Sequence, residues 1–201
     1  IAAKRRKHAA AGFAVSESRP WLMDFQRALV AKTVERGRCA LFASTGLGKT
    51  RMQLAWADEV ARHTGGRVLV LAPLAVAQQT EREAHSLGLA RVKSCRTAAQ
   101  MDGAHIVVTN YERLHHFDVR DFAGVVLDES SCIKDFSART TGQLTEAFSN
   151  HRFRLCASAT PAPNDFMELG THAEFLGVCT RAQMLAEYFI HDGGDTAKWR
   201  L

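Results

Sequence analysis

Short apolar runs recur along the chain and are separated by longer stretches of mixed polarity. Five runs show no alternation with polar residues, and they lie at 40–43, 68–71, 106–108, 125–127 and 155–157, with a weaker one at 91–95. Continuous runs of this length are typical of strands that are buried on both faces, as in a parallel sheet covered by helices. The pattern therefore predicts a three-layer α/β/α sandwich around a mostly parallel sheet.

The stretches between these runs have helical periodicity. Residues 22–36 and 137–149 predict two helices, and residues 180–201 predict a helix followed by irregular chain with a turn at 192–195. Two further segments each place apolar residues three and four positions apart, which puts them on one helix face. These faces consist of Met52, Ala55, Trp56 and Val60 in the first segment and of Leu74, Ala77, Ala84 and Leu87 in the second.

The length of 201 residues suits one α/β domain, and the 46% of hydrophobic residues excludes a mainly disordered chain. The net charge of +5 arises mostly from the basic run at 4–7, so it describes a tail and not a basic face. We predict a basic flexible arm over 1–19, the domain over 20–178 and a C-terminal extension over 179–201.

Membrane insertion and secretion are not indicated. The longest apolar run, 68–77, contains Pro73 and is shorter than the roughly 20 residues that a membrane helix needs. The five cysteines are odd in number, widely spaced and without a C-x-x-C pair, which predicts reduced, mostly buried thiols in a cytoplasmic protein. His115 and His116 have no acidic or cysteine cluster beside them, which favours a surface pair over a metal site.

A glycine-rich segment, A-S-T-G-L-G-K-T from Ala43 to Thr50, separates an apolar run from a predicted helix. Glycines allow backbone N–H groups to approach phosphate oxygens, Lys49 would reach the β- and γ-phosphates, and Thr50 would place its hydroxyl on Mg²⁺. The alternative is a glycine-rich turn before a core helix. The segment predicts ATP and Mg²⁺ as cofactors, bound by Thr45, Gly46, Leu47, Gly48, Lys49 and Thr50.

Two carboxylates, Asp128 and Glu129, follow the apolar run at 125–127. Asp128 would hold Mg²⁺ through its water shell, and Glu129 would orient and deprotonate an attacking water. Two or three strands fit between Lys49 and Asp128, so the carboxylate strand is not expected to follow the phosphate loop directly. This arrangement favours a hydrolytic motor over a small-molecule kinase. The alternative is a solvated acidic pair at the end of a strand.

Five further segments follow one another along the chain: D-F-Q at 24–26, V-L-A-P-L at 70–74, V-T-N-Y-E-R-L at 108–114, D-E-S-S at 128–131 and S-A-T-P at 158–161. Together with the glycine-rich segment, this ordered set resembles the first RecA-like motor lobe of superfamily-two helicase-like ATPases, closest to the Swi/Snf-type branch and its compact phage-like relatives. The match covers roughly 20–178. Motif II is D-E-S-S here instead of D-E-A-H or D-E-A-D, and motif III is S-A-T instead of the Swi/Snf T-G-T.

The resemblance implies further roles for single residues. It implies that Gln26 reads adenine, with a surface glutamine on a helix as the alternative. It also implies that Ser158 and Thr160 couple hydrolysis to movement, while the contact made by Ser131 stays open. The hydroxyls could instead cap the helix after Pro163. Contacts to a nucleic-acid backbone, with DNA favoured over RNA, are implied for Pro73, Leu74, Thr109, Asn110 and Tyr111. Capping by Thr109 and Asn110, and a core position for Tyr111, are the alternatives.

Only 41 residues follow Thr160, and a second motor lobe needs on the order of 150. The resemblance implies that the arginine finger lies on that second lobe, so we expect a fragment, half of a motor, that is nearly inactive alone. Two other functions stay open. A different P-loop ATPase would need an arginine-rich lid or an L-S-G-G-Q signature, which the sequence lacks. A non-hydrolysing nucleic-acid or protein adaptor would not need Lys49, Thr50 and both carboxylates.

Overall fold

Six parallel strands form the single large sheet of this computed structural model, which describes residues 11–16, 19–134, 138–191 and 199–200. The strands are β1 Arg38–Phe42, β2 Arg67–Ala72, β3 Val92–Ser94, β4 Ile106–Asn110, β5 Phe122–Leu127 and β6 Phe153–Ser158. Around them lie α1 Asp24–Arg36, α2 Lys49–Thr64, α3 Ala77–Ser86, α4 Ala138–Ala147, α5 Leu169–Leu176 and α6 Arg181–Tyr188. The predicted three-layer sandwich is confirmed, including the weaker strand.

The strand order, β1-β6-β5-β2-β4-β3, brings distant parts of the sequence together. Strand β6 lies between β1 and β5, with Phe42 paired to Ser158 and Leu127 paired to Cys156. Three strands separate β1 from β5 in the sequence, as the spacing of the motifs predicts. Because all six strands are parallel, the residues that follow β1, β5 and β6 meet at one edge of the sheet.

Both faces of the sheet are buried. Val68 and Val70 pack with the α1–α2 side, whereas Leu69 and Leu71 pack with Phe148 and other side chains of the opposite layer. All four of these strand residues are at most 1% exposed. This double burial explains why the strands appear as continuous apolar runs without polar alternation.

Helix α2 is buried on every side from Met52 to Ala61, not only on its predicted apolar face. The N-terminal segment covers its outer face. Arg19 Nη2 lies 2.7 Å from both Asp58 Oδ2 and Glu59 Oε1, and Ser16 donates to Glu59 Oε2 through its backbone N–H and its hydroxyl. The described part of the expected flexible arm is therefore packed on the domain; the basic run at 4–7 lies outside the described residues.

Two local predictions are wrong. Leu74 does not join the buried face of α3, because α3 begins only at Ala77, after a turn in which Val76 N–H donates to the Pro73 carbonyl; the Leu74 side chain is 64% exposed. The chain after α6 is also not irregular where the structure describes it, since β7 Ile190–His191 pairs with β8 Trp199–Arg200. The turn predicted at 192–195 lies outside the described residues.

All five cysteines are free thiols. Cys95 and Cys156 are buried, but Cys39, Cys132 and Cys179 are only half-buried, so burial is less general than predicted. Burial raises the pKa of the Cys156 thiol far above its usual range, which keeps this side chain a neutral core group. Within the described ranges, the helices are too short or too polar to cross a bilayer.

Candidate nucleotide-binding site

A cavity of about 740 Å³ opens at the edge of the sheet where β1 and β5 end. Residues from the start of α1, the loop after β1, the first turn of α2 and the loop after β5 surround it. It contains every residue predicted to contact ATP or Mg²⁺: Gln26, Thr45, Gly46, Leu47, Gly48, Lys49, Thr50, Asp128 and Glu129.

The loop after β1 depends on two glycines. Gly46 and Gly48 have φ angles of 81° and 75°, in the left-handed region that glycine tolerates best. Gly48 is the N-cap of α2 and supplies no side chain to cap it. The first N–H groups of a helix have no carbonyl partner within it, and they form a ready site for an anion such as phosphate.

Gln26 connects α1 to this loop. Its side chain is 3% exposed; Nε2 donates to the Leu47 carbonyl at 2.9 Å, and Oε1 accepts from Met23 N–H at 2.9 Å. Met23 and Phe25 also line the cavity and are 61% and 42% exposed. Neither apolar residue was predicted to line the site, although both lie within three positions before Gln26 in the sequence.

The two carboxylates occupy different environments. Glu129 is partly exposed, with Oε1 3.9 Å from Lys49 Nζ. Asp128 is buried, and Gln53 Nε2 donates to its Oδ1 at 2.6 Å. Burial raises the pKa of the Asp128 carboxyl, and the Glu129 charge raises it further, while the Gln53 hydrogen bond acts in the opposite direction. Gln53 was not predicted; its only sequence signal is an amide three residues after Thr50.

The backbone around Glu129 is strained. Among the described non-glycine residues, only Glu129 has a left-handed φ, of 46°. On one side, Asp128 N–H donates to the Leu71 carbonyl, and Tyr111 Oη donates to the Asp128 carbonyl at 2.7 Å. On the other side, Ser130 Oγ is hydrogen-bonded to His172 Nε2 at 3.0 Å.

Ser158 supplies the contact that the sequence left open for Ser131. Its hydroxyl donates to Ser131 Oγ at 3.2 Å and accepts from Thr160 N–H at 3.1 Å. The side chain of Ser158 is buried, whereas Thr160 is exposed. The short turn that follows Pro163 is capped by Asp165, which accepts from Met167 N–H, and not by Ser158.

A second cavity, of about 510 Å³, lies where β2 and β4 end. Of the five residues that the resemblance assigned to nucleic acid, it contains Leu74, Thr109 and Asn110 but not Pro73 or Tyr111. Asn110 Oδ1 accepts from Arg113 N–H, so Asn110 also caps the turn after β4. Three unpredicted arginines join them: Arg82, Arg96 and Arg113.

Thr109 marks this second cavity as a polar site. Its Oγ1 is buried and has no hydrogen-bond partner among the described residues, and the residue is 1% exposed. Buried hydroxyls without a partner are rare, because each loses its hydration without replacement.

His115 and His116 form an exposed pair with ring centroids 3.9 Å apart, and the described side chains include no cluster of metal-binding residues.

The fold and the first cavity together define a RecA-like ATP-binding lobe of the helicase type. A family model described as DEAD/DEAH box helicase matches residues 23–169. The chain belongs to the DEAD/DEAH box helicase family. A comparison with curated protein sequences gives no significant match.

Solved structures with this fold include two proteins described as helicases and one described as an ATPase core. The UvsW helicase from bacteriophage T4 has a TM-score of 0.65 at 15% identity, covering 85% of this chain and 62% of that chain. The Sulfolobus solfataricus SWI2/SNF2 ATPase core in complex with dsDNA has a TM-score of 0.67 at 18% identity, covering 93% of this chain and 42% of that chain. A hypothetical ATP-dependent RNA helicase from Sulfolobus tokodaii has a TM-score of 0.60 at 19% identity, and the match covers 80% of this chain and 52% of that chain. The chain thus spans less than two thirds of each of these structures.

Proposed function

We propose that this chain is the ATP-binding lobe of an ATP-dependent nucleic-acid translocase or helicase, which hydrolyses ATP when a second RecA-like lobe completes it. The observation that carries the proposal is the convergence of Lys49, Asp128 and Glu129 on one cavity beside the phosphate loop. Lys49 lies after β1 and the two carboxylates lie after β5, and β6 separates these strands, so the convergence depends on the sheet order. A surface acidic pair or an ordinary glycine turn would not need this convergence.

Thr50 and Asp128 would hold Mg²⁺, since both offer oxygen donors at the cavity and oxygen is the ligand that this ion prefers. When bound with ATP, the ion neutralises charge on the phosphates. Lys49 would bind the β- and γ-phosphates, and its Nζ lies 3.9 Å from Glu129 Oε1, so both side chains face the same part of the cavity. Glu129 would orient the attacking water and take its proton.

Gln26 would select adenine. A carboxamide can donate to N7 and accept from the N6 amino group, a pairing that guanine cannot satisfy. Gln26 uses one amide N–H on the Leu47 carbonyl and one Oε1 lone pair on Met23 N–H, which leaves one N–H and one lone pair for the base. We expect a preference for ATP over GTP of roughly 1–3 kcal/mol, because the wrong base leaves a polar group unpaired.

Ser158 and Thr160 would couple hydrolysis to movement. The Ser158–Ser131 hydrogen bond supports this role, since it connects the end of β6 to the motif that carries both carboxylates. A hydroxyl contact contributes about 0.5–1.5 kcal/mol, which is enough to bias a lobe-closing equilibrium several-fold. In the full-length motor, Ser158→Ala with Thr160→Ala should preserve ATP binding while more ATP is consumed per unit of translocation.

The second cavity would bind the phosphate backbone of nucleic acid, with DNA favoured over RNA. Leu74, Thr109 and Asn110 line it, and the guanidinium groups of Arg82, Arg96 and Arg113 have no ion-pair partner within the described ranges. Such contacts position a strand without reading its sequence. Pro73 would shape the approach to this cavity, whereas Tyr111, whose hydroxyl donates to Asp128, would connect it to the nucleotide site.

The deciding experiment compares the 201-residue chain with the full-length protein that carries it. ATP hydrolysis is measured without nucleic acid and with single-stranded DNA, duplex DNA and RNA. We expect nucleic-acid-stimulated hydrolysis by the full-length protein and a rate about 10³–10⁵ lower for the isolated lobe, because the proposal places the arginine finger on the second lobe. Vigorous stimulated turnover by the isolated lobe would show that hydrolysis does not need a second lobe. If neither protein binds nucleotide, the result would favour a non-hydrolysing adaptor.

A variant pair tests the nucleic-acid cavity separately. Arg113→Ala should weaken binding to all sequences alike and reduce the slope of log affinity against log salt by about one. Arg120→Ala is the matched control, because Arg120 is exposed, paired with Asp118 and outside the cavity. Equal effects of the two substitutions would argue against this cavity as the binding surface.

A further inference from the structure

The two serines of D-E-S-S contact different elements. Ser131 accepts a hydrogen bond from Ser158 on β6, whereas Ser130 is bonded to His172 on α5, across 42 positions of sequence. Ser130 is fully buried and His172 is 4% exposed. The His172 contact therefore provides motif II with a second attachment, independent of motif III.

This second attachment lies beside the strained residue. Glu129 needs support to keep its left-handed φ of 46°, because such backbone persists in a non-glycine residue only where the surroundings fix it. On the Asp128 side, the turn is fixed by two hydrogen bonds of the Asp128 backbone: its N–H donates to the Leu71 carbonyl, and its carbonyl accepts from Tyr111 Oη. On the following side, Cys132 N–H closes a turn onto the Glu129 carbonyl, and Ser130 has the bond to His172.

His172 is itself held in place by its surroundings. Its ring packs edge-on against Phe42 at the end of β1, with centroids 5.4 Å apart and an interplanar angle of 83°. The C-terminal end of α5 is fixed to the sheet by Arg154, whose Nη1 donates to the Phe175 carbonyl. Burial lowers the pKa of His172, so a neutral imidazole faces the Ser130 hydroxyl.

We infer that His172 is a positioning residue for ATP hydrolysis: through Ser130 it holds the left-handed turn that aims Glu129 at the attacking water. The inference rests on the proposed function, since it assigns a purpose to the contact only if Glu129 is the base. The same contact connects α5 to the site, because a displacement of that helix would shift His172 and, through its hydrogen bond, Ser130 and the Glu129 turn.

The test uses the full-length protein with four variants: His172→Leu, His172→Gln, Ser130→Ala and the double variant Ser130→Ala/His172→Leu. Nucleic-acid-stimulated hydrolysis gives kcat and KM, and a fluorescent ADP analogue gives nucleotide affinity independently of turnover. For His172→Leu we expect kcat to fall about tenfold, with KM and ADP affinity changed less than twofold, because Lys49 and the phosphate loop are untouched.

Two comparisons and one control separate positioning from simple destabilisation. Gln can place a polar atom where the imidazole Nε2 lies, so His172→Gln should recover most of kcat; the double variant should be no slower than His172→Leu, because both changes break one bond. His151→Leu is the control: it also loses a hydrogen bond from a partly buried imidazole, to the Val119 carbonyl, at the opposite edge of the sheet. It should lower the melting temperature and leave kcat unchanged.

The outcomes are distinct. An inactive wild-type protein refutes the proposed function and this inference with it. An active wild type whose kcat survives His172→Leu, or whose Gln variant is as slow as the Leu variant, refutes only the inference. If His172→Leu does not fold, the milder Ser130→Ala and His172→Gln decide: normal kcat in Ser130→Ala overturns the role, and a tenfold loss there with recovery in His172→Gln supports it.

Discussion

At the scale of single residues, the phosphate loop contains two glycines with the same backbone conformation and different surroundings. A Cβ on Gly46 would meet no atom within 4 Å, whereas a Cβ on Gly48 would lie 2.4 Å from Gln26 Nε2. Both have left-handed φ angles, so alanine at either position costs roughly 1–2 kcal/mol of backbone strain. Only Gly48 adds a steric conflict, and this conflict involves the end of a flexible side chain.

We therefore predict that Gly48→Ala weakens nucleotide binding more than Gly46→Ala does, by about tenfold. Adding Gln26→Ala to the Gly48→Ala variant should recover part of the stability, because it removes the conflicting atom. Thermal melting and the affinity for a fluorescent ADP measure the two effects. If the two alanine variants prove equally impaired, the close approach of Gln26 to Gly48 has no energetic consequence.

His172 gives the fold a pH dependence. Burial lowers its pKa below the usual value near 6.5, and the nearby Glu168 carboxylate opposes this only in part. The neutral ring therefore supports stability above pH 6.5, and this support is lost as the pH falls through the lowered folded-state pKa, since the unfolded chain takes up the proton first. His172→Gln should thus lose less stability between pH 7.5 and 5.5 than the wild type, as measured by urea unfolding; parallel losses would contradict this.

At the scale of elements, the segment before α1 is attached to α2 by buried charges. The side chains of Arg19 and Glu59 are 7% and 1% exposed, and that of Asp58 is 11% exposed. Arg62 also pairs with Asp58, at 2.9 Å, but Arg19 is the cation whose Nη2 lies 2.7 Å from both carboxylates. Removing one partner of a buried pair is costly because the remaining charge stays desolvated.

Arg19→Met should lower the free energy of unfolding by about 3–5 kcal/mol. The matched control is Arg120→Met, which breaks the exposed Arg120–Asp118 pair, with side chains 85% and 41% exposed, and should change the free energy of unfolding little. Urea denaturation of the isolated chain measures both. A loss of similar size in the two variants would mean that water reaches the Arg19 cluster despite its burial.

The sequence predicts the strands and the nucleotide site better than their surroundings. Apolar runs report burial directly, and Lys49, Thr50 and Asp128 belong to motifs whose spacing follows from phosphate chemistry. Gln53 and His172 were missed because their partners are 75 and 42 positions away, and local pattern contains no information on such pairs. The prediction for Leu74 was wrong because local pattern was followed too far: its spacing fits the apolar face of α3, but the helix begins three residues later, at Ala77.

At the scale of the whole molecule, the two cavities share one edge of the sheet but have no lining residue in common. A ligand that binds only the folded state stabilises it by about 2.7 kcal/mol at a hundred times its Kd, which for a chain of this size raises the melting temperature by roughly 5–11 °C. Saturating ATP with Mg²⁺ should produce a shift of this size. Lys49→Ala or chelation of Mg²⁺ should remove most of it, whereas Arg113→Ala should keep it, because Arg113 lines only the other cavity. If Arg113→Ala abolished the shift and Lys49→Ala preserved it, ATP would bind the second cavity and not the one beside the phosphate loop.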